Sequence, residues 1–287
     1  MQSFALYNIN YYNPYLALAL DEALCLYAAA QADFRCGVRL WANPPAVVLG
    51  RTNKPEENVQ SERLGGLVVG RRGRARPGDI FLCRRSSGGG AVLHGPGNIN
   101  YSLFFSLEAF PELYPVRESY QAFLGMVTRA LEATTGVRTA QRGDSDLVLS
   151  GADAGADGLV QESARRKISG NAQFRKRGVV VHHGTLLIGQ SLGPLIRDVL
   201  SHPPKEPEYR AGRSHDDFLS ALPLHFDARA FFDALRDEVA GRSAATVADW
   251  STLERSHVSH VFKLARKLAS EIYVSEDWIL RGKLPRP

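Results

Sequence analysis

Cysteine is scarce in this chain of 287 residues: Cys25, Cys36 and Cys83 are its only three, and none stands in a CxxC pair. An odd, scattered set excludes a disulfide framework and a thiolate zinc knuckle. It fits a reducing compartment, so a cytoplasmic location is expected. No apolar run approaches the roughly 20 residues of a membrane span, and no membrane partner is expected. The first residues, Met1-Gln2-Ser3-Phe4-Ala5-Leu6, lack a basic region ahead of an apolar core, so no signal peptide is expected. Strong net charge is missing too. The balance is +5, and the 44% hydrophobic content supports a core for one large domain, with or without a small appendage.

The positive charge is unevenly placed. Arg71, Arg72, Arg74 and Arg76 lead towards Arg84-Arg85, and Arg165-Arg166-Lys167 precedes Arg175-Lys176-Arg177. Such clusters suit a nucleotide phosphate, a nucleic acid or an acidic protein partner. Most of these side chains, taken singly, read as solvated surface.

Helical spacing of Leu16, Leu20, Leu24 and Tyr27 predicts a helix over 14–30, with Asn13 as cap and Pro14 in the first turn. Short strands are predicted at 38–41, 46–49, 67–69, 80–82, 91–93 and 98–105, followed by a helix over 117–135. Strands resume at 147–149, 167–168 and 179–188, with turn material at 150–157. Beyond 190 the pattern becomes helical, at 192–200, 228–240 and 258–272. The coarse class is α+β, a sheet core followed by a helical C-terminal portion.

Two blocks carry chemistry. The first is Arg84-Arg85-Ser86-Ser87-Gly88-Gly89-Gly90-Ala91-Val92-Leu93-His94, in which successive glycines let a ligand lie against backbone N–H groups. The second joins Lys167-Ile168-Ser169-Gly170-Asn171-Ala172 to His182-His183-Gly184-Thr185-Leu186-Leu187. With Asp-Glu-Ala-Leu at 21–24, Val-Val-Leu-Gly-Arg at 47–51 and Ser145-Asp146-Leu147-Val148, these blocks make the chain resemble the lipoate–protein ligase A family. That family lies within the wider biotin and lipoate ligase fold. The resemblance covers residues 13–190 in the family's order and fades through 209–215 towards Tyr273 and Trp278. Any one block would be weak, but the joint match is specific.

The resemblance implies mixed, largely antiparallel sheets flanked by helices. It also implies a catalytic domain over 1–225, a helical segment over 226–287 packed on it, and no full accessory domain. The implied activity is ATP-dependent: lipoate becomes lipoyl-AMP, and the acyl group then passes to a lysine of an acceptor lipoyl-domain protein. Lys167 is the implied catalytic residue, a point cation holding the carboxylate against the α-phosphate. Arg85, Gly90, Ala91, Val92, Leu93, Asp146 and Lys167 would bind ATP. Arg51, Ser87, Gly88, Gly89, His94, His183 and Gly184 would bind the acyl substrate, with an apolar slot partly from 47–49. Asp146 is also the implied Mg2+ ligand. The implied partners are small acidic lipoyl domains and a separate accessory ligase subunit. Nucleic acid is not among them.

The chain departs from the family pattern at Gly95, where aspartate is usual, at Ser145, where asparagine is usual, and in a basic insertion over 64–79. It also stops too early for the accessory domain of two-domain ligases, which leaves ligation by this chain alone open. Two rival readings remain. An octanoyl or lipoyl transferase of the same superfamily would need a reactive thiol, and no cysteine lies after Cys83. A non-catalytic basic binding module would use the insertion instead. His182-His183 lacks a third nearby ligand, which disfavours zinc.

Overall fold

Asn13 and Pro14 do start the first long helix. The Asn13 side chain accepts from the backbone N–H of Leu16, and Pro14 fills a position whose N–H needs no helical partner. The computed structural model describes residues 2–10, 12–150, 165–244 and 246–285. Of the turn expected at 150–157, everything after Ser150 lies outside them.

The strands are β1 (Ser3–Asn8), β2 (Cys36–Trp41), β3 (Ala46–Leu49), β4 (Phe81–Arg84), β5 (Val92–His94), β6 (Asn98–Ser106), β7 (Thr139–Arg142), β8 (Asp146–Leu149), β9 (Lys167–Lys176) and β10 (Val179–Leu187). The longer helices are α1 (Pro14–Ala29), α4 (Val116–Thr135), α7 (Ala228–Ser243) and α8 (Arg255–Leu268). Between and after them come the short α2 (Pro55–Asn58), α3 (Ser61–Leu64), α5 (Gly193–Val199), α6 (His215–Phe218) and α9 (Glu276–Arg281). Seven strands form one sheet in the order β1-β2-β6-β10-β9-β8-β7, and β4-β3-β5 form a second. Only β1–β2 and β3–β4 pair in parallel among these strands, so the sheets are mixed and largely antiparallel.

The large sheet separates two apolar cores. Side chains alternate across β10: Val179 and Val181 join α1, the small sheet and α8, while Val180 and Leu186 join α4 and α7. The same alternation parts the two histidines. His182 faces Tyr101, Tyr120 and Phe123 on the α4 side, and His183 faces α1. Burial, reinforced by His183, holds His182 well below the ordinary histidine value, so it is a neutral core residue.

Several expectations need correction. Residues 67–69 form no strand, only a bridge from Val68 to Phe81. The strand at 167–168 runs ten residues, paired with β8 and β10. The helix at 258–272 is α8 followed by a π turn over Ala269–Tyr273. Strands β1 and β7 and helix α9 are not among the elements that the sequence pattern predicts.

Candidate active site

The chain leaves β4 at Arg84 and runs through the glycines into β5. Arg85 is buried, and its guanidinium is spent on this loop and its neighbour. Nε donates to Ser87 Oγ (2.9 Å), Nη1 to the Val48 carbonyl (3.1 Å), and Nη2 to the Gly88 and Gly90 carbonyls (2.5 and 2.8 Å). Burial lowers its pKa to about 10, which keeps it cationic at neutrality. Arg85 therefore shapes the loop from inside. Gly89 sits at φ +85, and a Cβ there would stand 3.0 Å from Arg85 Nη2, so glycine is required. Among the described residues, no backbone carbonyl accepts from the N–H groups of Gly88, Gly89 or Gly90. Unspent N–H groups on a cationic frame can receive an anion.

A cavity opens against this loop. Arg85, Gly89, Gly90, Ala91, Val92, His94, Asp146, Lys167, His183 and Gly184 all line it. Lys167 Nζ lies 2.8 Å from Asp146 Oδ1, and Tyr209 donates its hydroxyl to Asp146 Oδ2 (2.8 Å). Burial, together with Asp146, raises the Tyr209 hydroxyl, so it remains a donor. Lys167 is thus a fixed cation at the cavity wall.

His183 is held from both sides. Ser87, already accepting from Arg85, donates to His183 Nε2 (2.6 Å), and Nδ1 faces Asp21 Oδ2 (3.4 Å). Asp21 also pairs with the fully buried Arg39 (2.6 Å) and accepts from Ser102 (2.7 Å). Burial alone would push Asp21 up, but Arg39, His183 and Ser102 bring it below the usual carboxylate value. The order Ser87–His183–Asp21 has the form of an activated hydroxyl. Yet Ser87 is 2% exposed and does not line the cavity, so the chain of bonds fixes the loop. His94 is buried with its Nδ1 accepting from the Asn43 amide (2.9 Å). Burial, then Arg85, pushes it down to about 3, so it is neutral.

Besides Ser87, four expected site features lie elsewhere. Arg51 stacks on Trp278 and donates to the Gly282 carbonyl, away from the cavity. Leu93 lines an adjoining apolar recess with Phe218 and Leu219. Gly88 lines an outer groove beside Tyr120 and Arg142. Val47, Val48 and Leu49 are wholly buried in β3, so the apolar wall comes from Leu18 and Trp41 instead. Asn171 and Thr185 also line the cavity. They stand inside the two quoted motifs, and only strand alternation could have singled them out.

Asp146 does not make a metal cage: both its oxygens are engaged, and no group of three or more candidate ligands occurs among the described residues. No described helix is long and apolar enough to cross a membrane.

Residues 13–240 match the family model described as the lipoyl protein ligase A/B catalytic domain. A Schizosaccharomyces pombe protein, provisionally named lipoate-protein ligase A, is 31% identical over 193 residues, 67% of this chain. The match spans 42% of that longer relative. Among solved structures, a bipartite lipoate protein ligase from Thermoplasma acidophilum, studied with its E2 lipoyl domain, superposes with a TM-score of 0.73 at 21% identity. That match covers 100% of this chain and 99% of the other. A lipoate-protein ligase A with ATP bound superposes at 0.66 and 20% identity, covering 98% and 99%. At these identities the solved structures show a shared fold.

Proposed function

The chain belongs to the lipoyl protein ligase A/B catalytic-domain family, and on that premise we propose that it activates lipoate with ATP and passes the acyl group to a protein lysine. The observation that carries this reading is the convergence of Lys167, the Arg85-framed glycines and His183 on one cavity. An acyl carboxylate and a nucleotide phosphate repel each other. A cation and an anion nest lining one cavity offset that repulsion where the new bond forms. The carboxylate attacks the α-phosphorus, pyrophosphate leaves, and the acyl-adenylate remains. The ε-amine of an acceptor then attacks the acyl carbonyl, and AMP departs as the amide forms.

Lys167 neutralises the carboxylate and the α-phosphate, and Asp146 with Tyr209 aims it. Ala91 and Val92 border the nucleotide, and Leu18 and Trp41 border the acyl chain. Gly89, Gly90, His94, His183 and Gly184 enclose the reacting centre. Mg2+ brought with ATP, rather than held by this chain, would supply charge neutralisation at the phosphates. Lipoyl domains are the proposed acceptors, with an accessory subunit completing the ligase, and residues 226–287 belong to the same unit as 1–225. The three cysteines are buried and unpaired, which fits a reducing cytoplasm and offers no thiol to a thioester route.

Purified protein supplied with lipoate, ATP and Mg2+ is expected to release pyrophosphate, and Lys167→Ala to release none. Absence of release, even with an accessory subunit added, overturns the reading.

A further inference from the structure

The glycine-rich loop has a second anchor, far along the chain. Side chains of residues 84 to 87 point alternately to two sides. Arg85 and Ser87 bond within the loop and to His183. Arg84 and Ser86 turn the other way, towards the segment that carries Tyr273 and α9.

Arg84 is buried, and its donors close on carbonyls. Nε reaches Trp278 (2.7 Å) and Ile279 (3.0 Å), Nη2 reaches Ile279 (2.8 Å) and Leu280 (3.2 Å), and Nη1 reaches Gly50 (2.8 Å) and Asn53 (2.8 Å). The last carbonyls of a helix have no partner within it, and a cation satisfies both their bonding and their charge. Trp278 Nε1 donates back to the Arg84 carbonyl (3.0 Å).

Ser86 meets a buried hub. It donates to Glu22 Oε2 (2.6 Å), the Tyr273 hydroxyl donates to the same oxygen (2.5 Å), and the two hydroxyls stand 2.9 Å apart. Lys176 pairs with the other Glu22 oxygen. None of Glu22, Ser86 and Tyr273 lines the cavity. Tyr273 is 1% exposed, so its hydroxyl has no solvent to turn to.

We propose that Tyr273 is a positioning residue for acyl-adenylate formation, acting through Ser86 and Glu22 on the placement of Gly88–Gly90. The inference rests on the activation reading above. Its structural part stands independently: the hydroxyl hub restrains the loop, and the loop presents the anion nest. Displacement of a reacting group by about 1 Å is enough to cost up to about a hundredfold in rate.

The test compares full-length wild type with Tyr273→Phe, Ser86→Ala and the double variant, neither single change removing an apolar contact from the core. In lipoate-dependent ATP–pyrophosphate exchange, each single variant is expected to lose about tenfold in kcat. Its KM for lipoate should stay within about twofold, because uniform binding is untouched. The double variant should be no worse than the worse single, because the two hydroxyls act as one unit. Hydrogen exchange of the loop's bonded amides, Arg51 N–H to the Ser87 carbonyl (2.8 Å) and Arg85 N–H to the Leu49 carbonyl (3.0 Å), is expected to quicken in Tyr273→Phe while that of α4 stays put. Loop exchange identical to wild type overturns the proposal, as does a loss confined to KM. If the wild type exchanges no pyrophosphate, the activation reading fails by itself, and the hydrogen exchange still decides whether Tyr273 restrains the loop.

Discussion

Lys167 and Asp146 form an ion pair of 2.8 Å at the wall of the cavity, the lysine side chain 23% exposed and the aspartate 8%. The carboxylate fixes a mobile four-carbon amine in one direction. Lys167→Ala is expected to lower acyl-adenylate formation about a thousandfold or more, as loss of a preorganised charge does. Asp146→Asn should cost less, about tenfold, because charge remains and only aim is lost. Pyrophosphate exchange measures both. Wild-type exchange by Lys167→Ala would remove this lysine from the chemistry.

Gly89→Ala should separate loop shape from fold. Its φ of +85 and the 3.0 Å approach to Arg85 Nη2 make a side chain costly, by about 1–2 kcal/mol. A small drop in melting temperature with a loss of more than about tenfold in kcat/KM for ATP is expected. Unchanged kinetics would mean that the loop does not meet the nucleotide.

Asp21→Asn should injure stability most. Arg39 is fully buried beside it, and the change leaves that cation without its counter-charge, at a cost of about 3–5 kcal/mol. Denaturant unfolding measures it, and a loss under about 1 kcal/mol would contradict the assignment.

Acid should destabilise the fold before carboxylates are reached. His94 titrates near 6.5 when unfolded and is pushed down to about 3 when folded. Between those values the unfolded state binds the extra proton, so stability falls as pH falls. At pH 5 this residue alone costs about 2 kcal/mol relative to pH 7. His94→Gln should flatten the slope of unfolding free energy between pH 7 and 5, and an unchanged slope would refute the burial argument.

Thiol reagents should leave the native protein alone. Burial raises all three thiols, Cys25 to about 12. Acyl transfer by a protein with Cys25, Cys36 and Cys83 replaced by alanine excludes a thioester route, and inactivation of the native protein by a thiol reagent without unfolding would revive it.

What could be read in advance was what is local. Asn13 and Pro14 announce α1 because cap and first turn lie side by side in the chain. The glycine block and Lys167 stand in motifs, and the cavity gathers them. Strand β9 was visible only at its start, since Ser169, Gly170, Asn171 and Ala172 show little apolar pattern. Hydrogen bonds from β8 and β10 hold them in place. Arg51 looked like a ligand residue because its motif ends there, but Trp278 and Gly282, some 230 residues away, claim it. Asp21 with Arg39 and Glu22 with Tyr273 are likewise contacts across distance, and a pairing of 251 residues leaves no local mark.

The clasp of Arg84 by α9 spans 194 residues, which bears on the order in which the protein matures. Chains emerge at about 5–20 residues per second. The large sheet is therefore complete for seconds before Trp278 to Leu280 leave the ribosome to fix the loop beside it. Until then a nascent chain holds the parts of the cavity without its final geometry, and catalytic competence waits on the synthesis of α9.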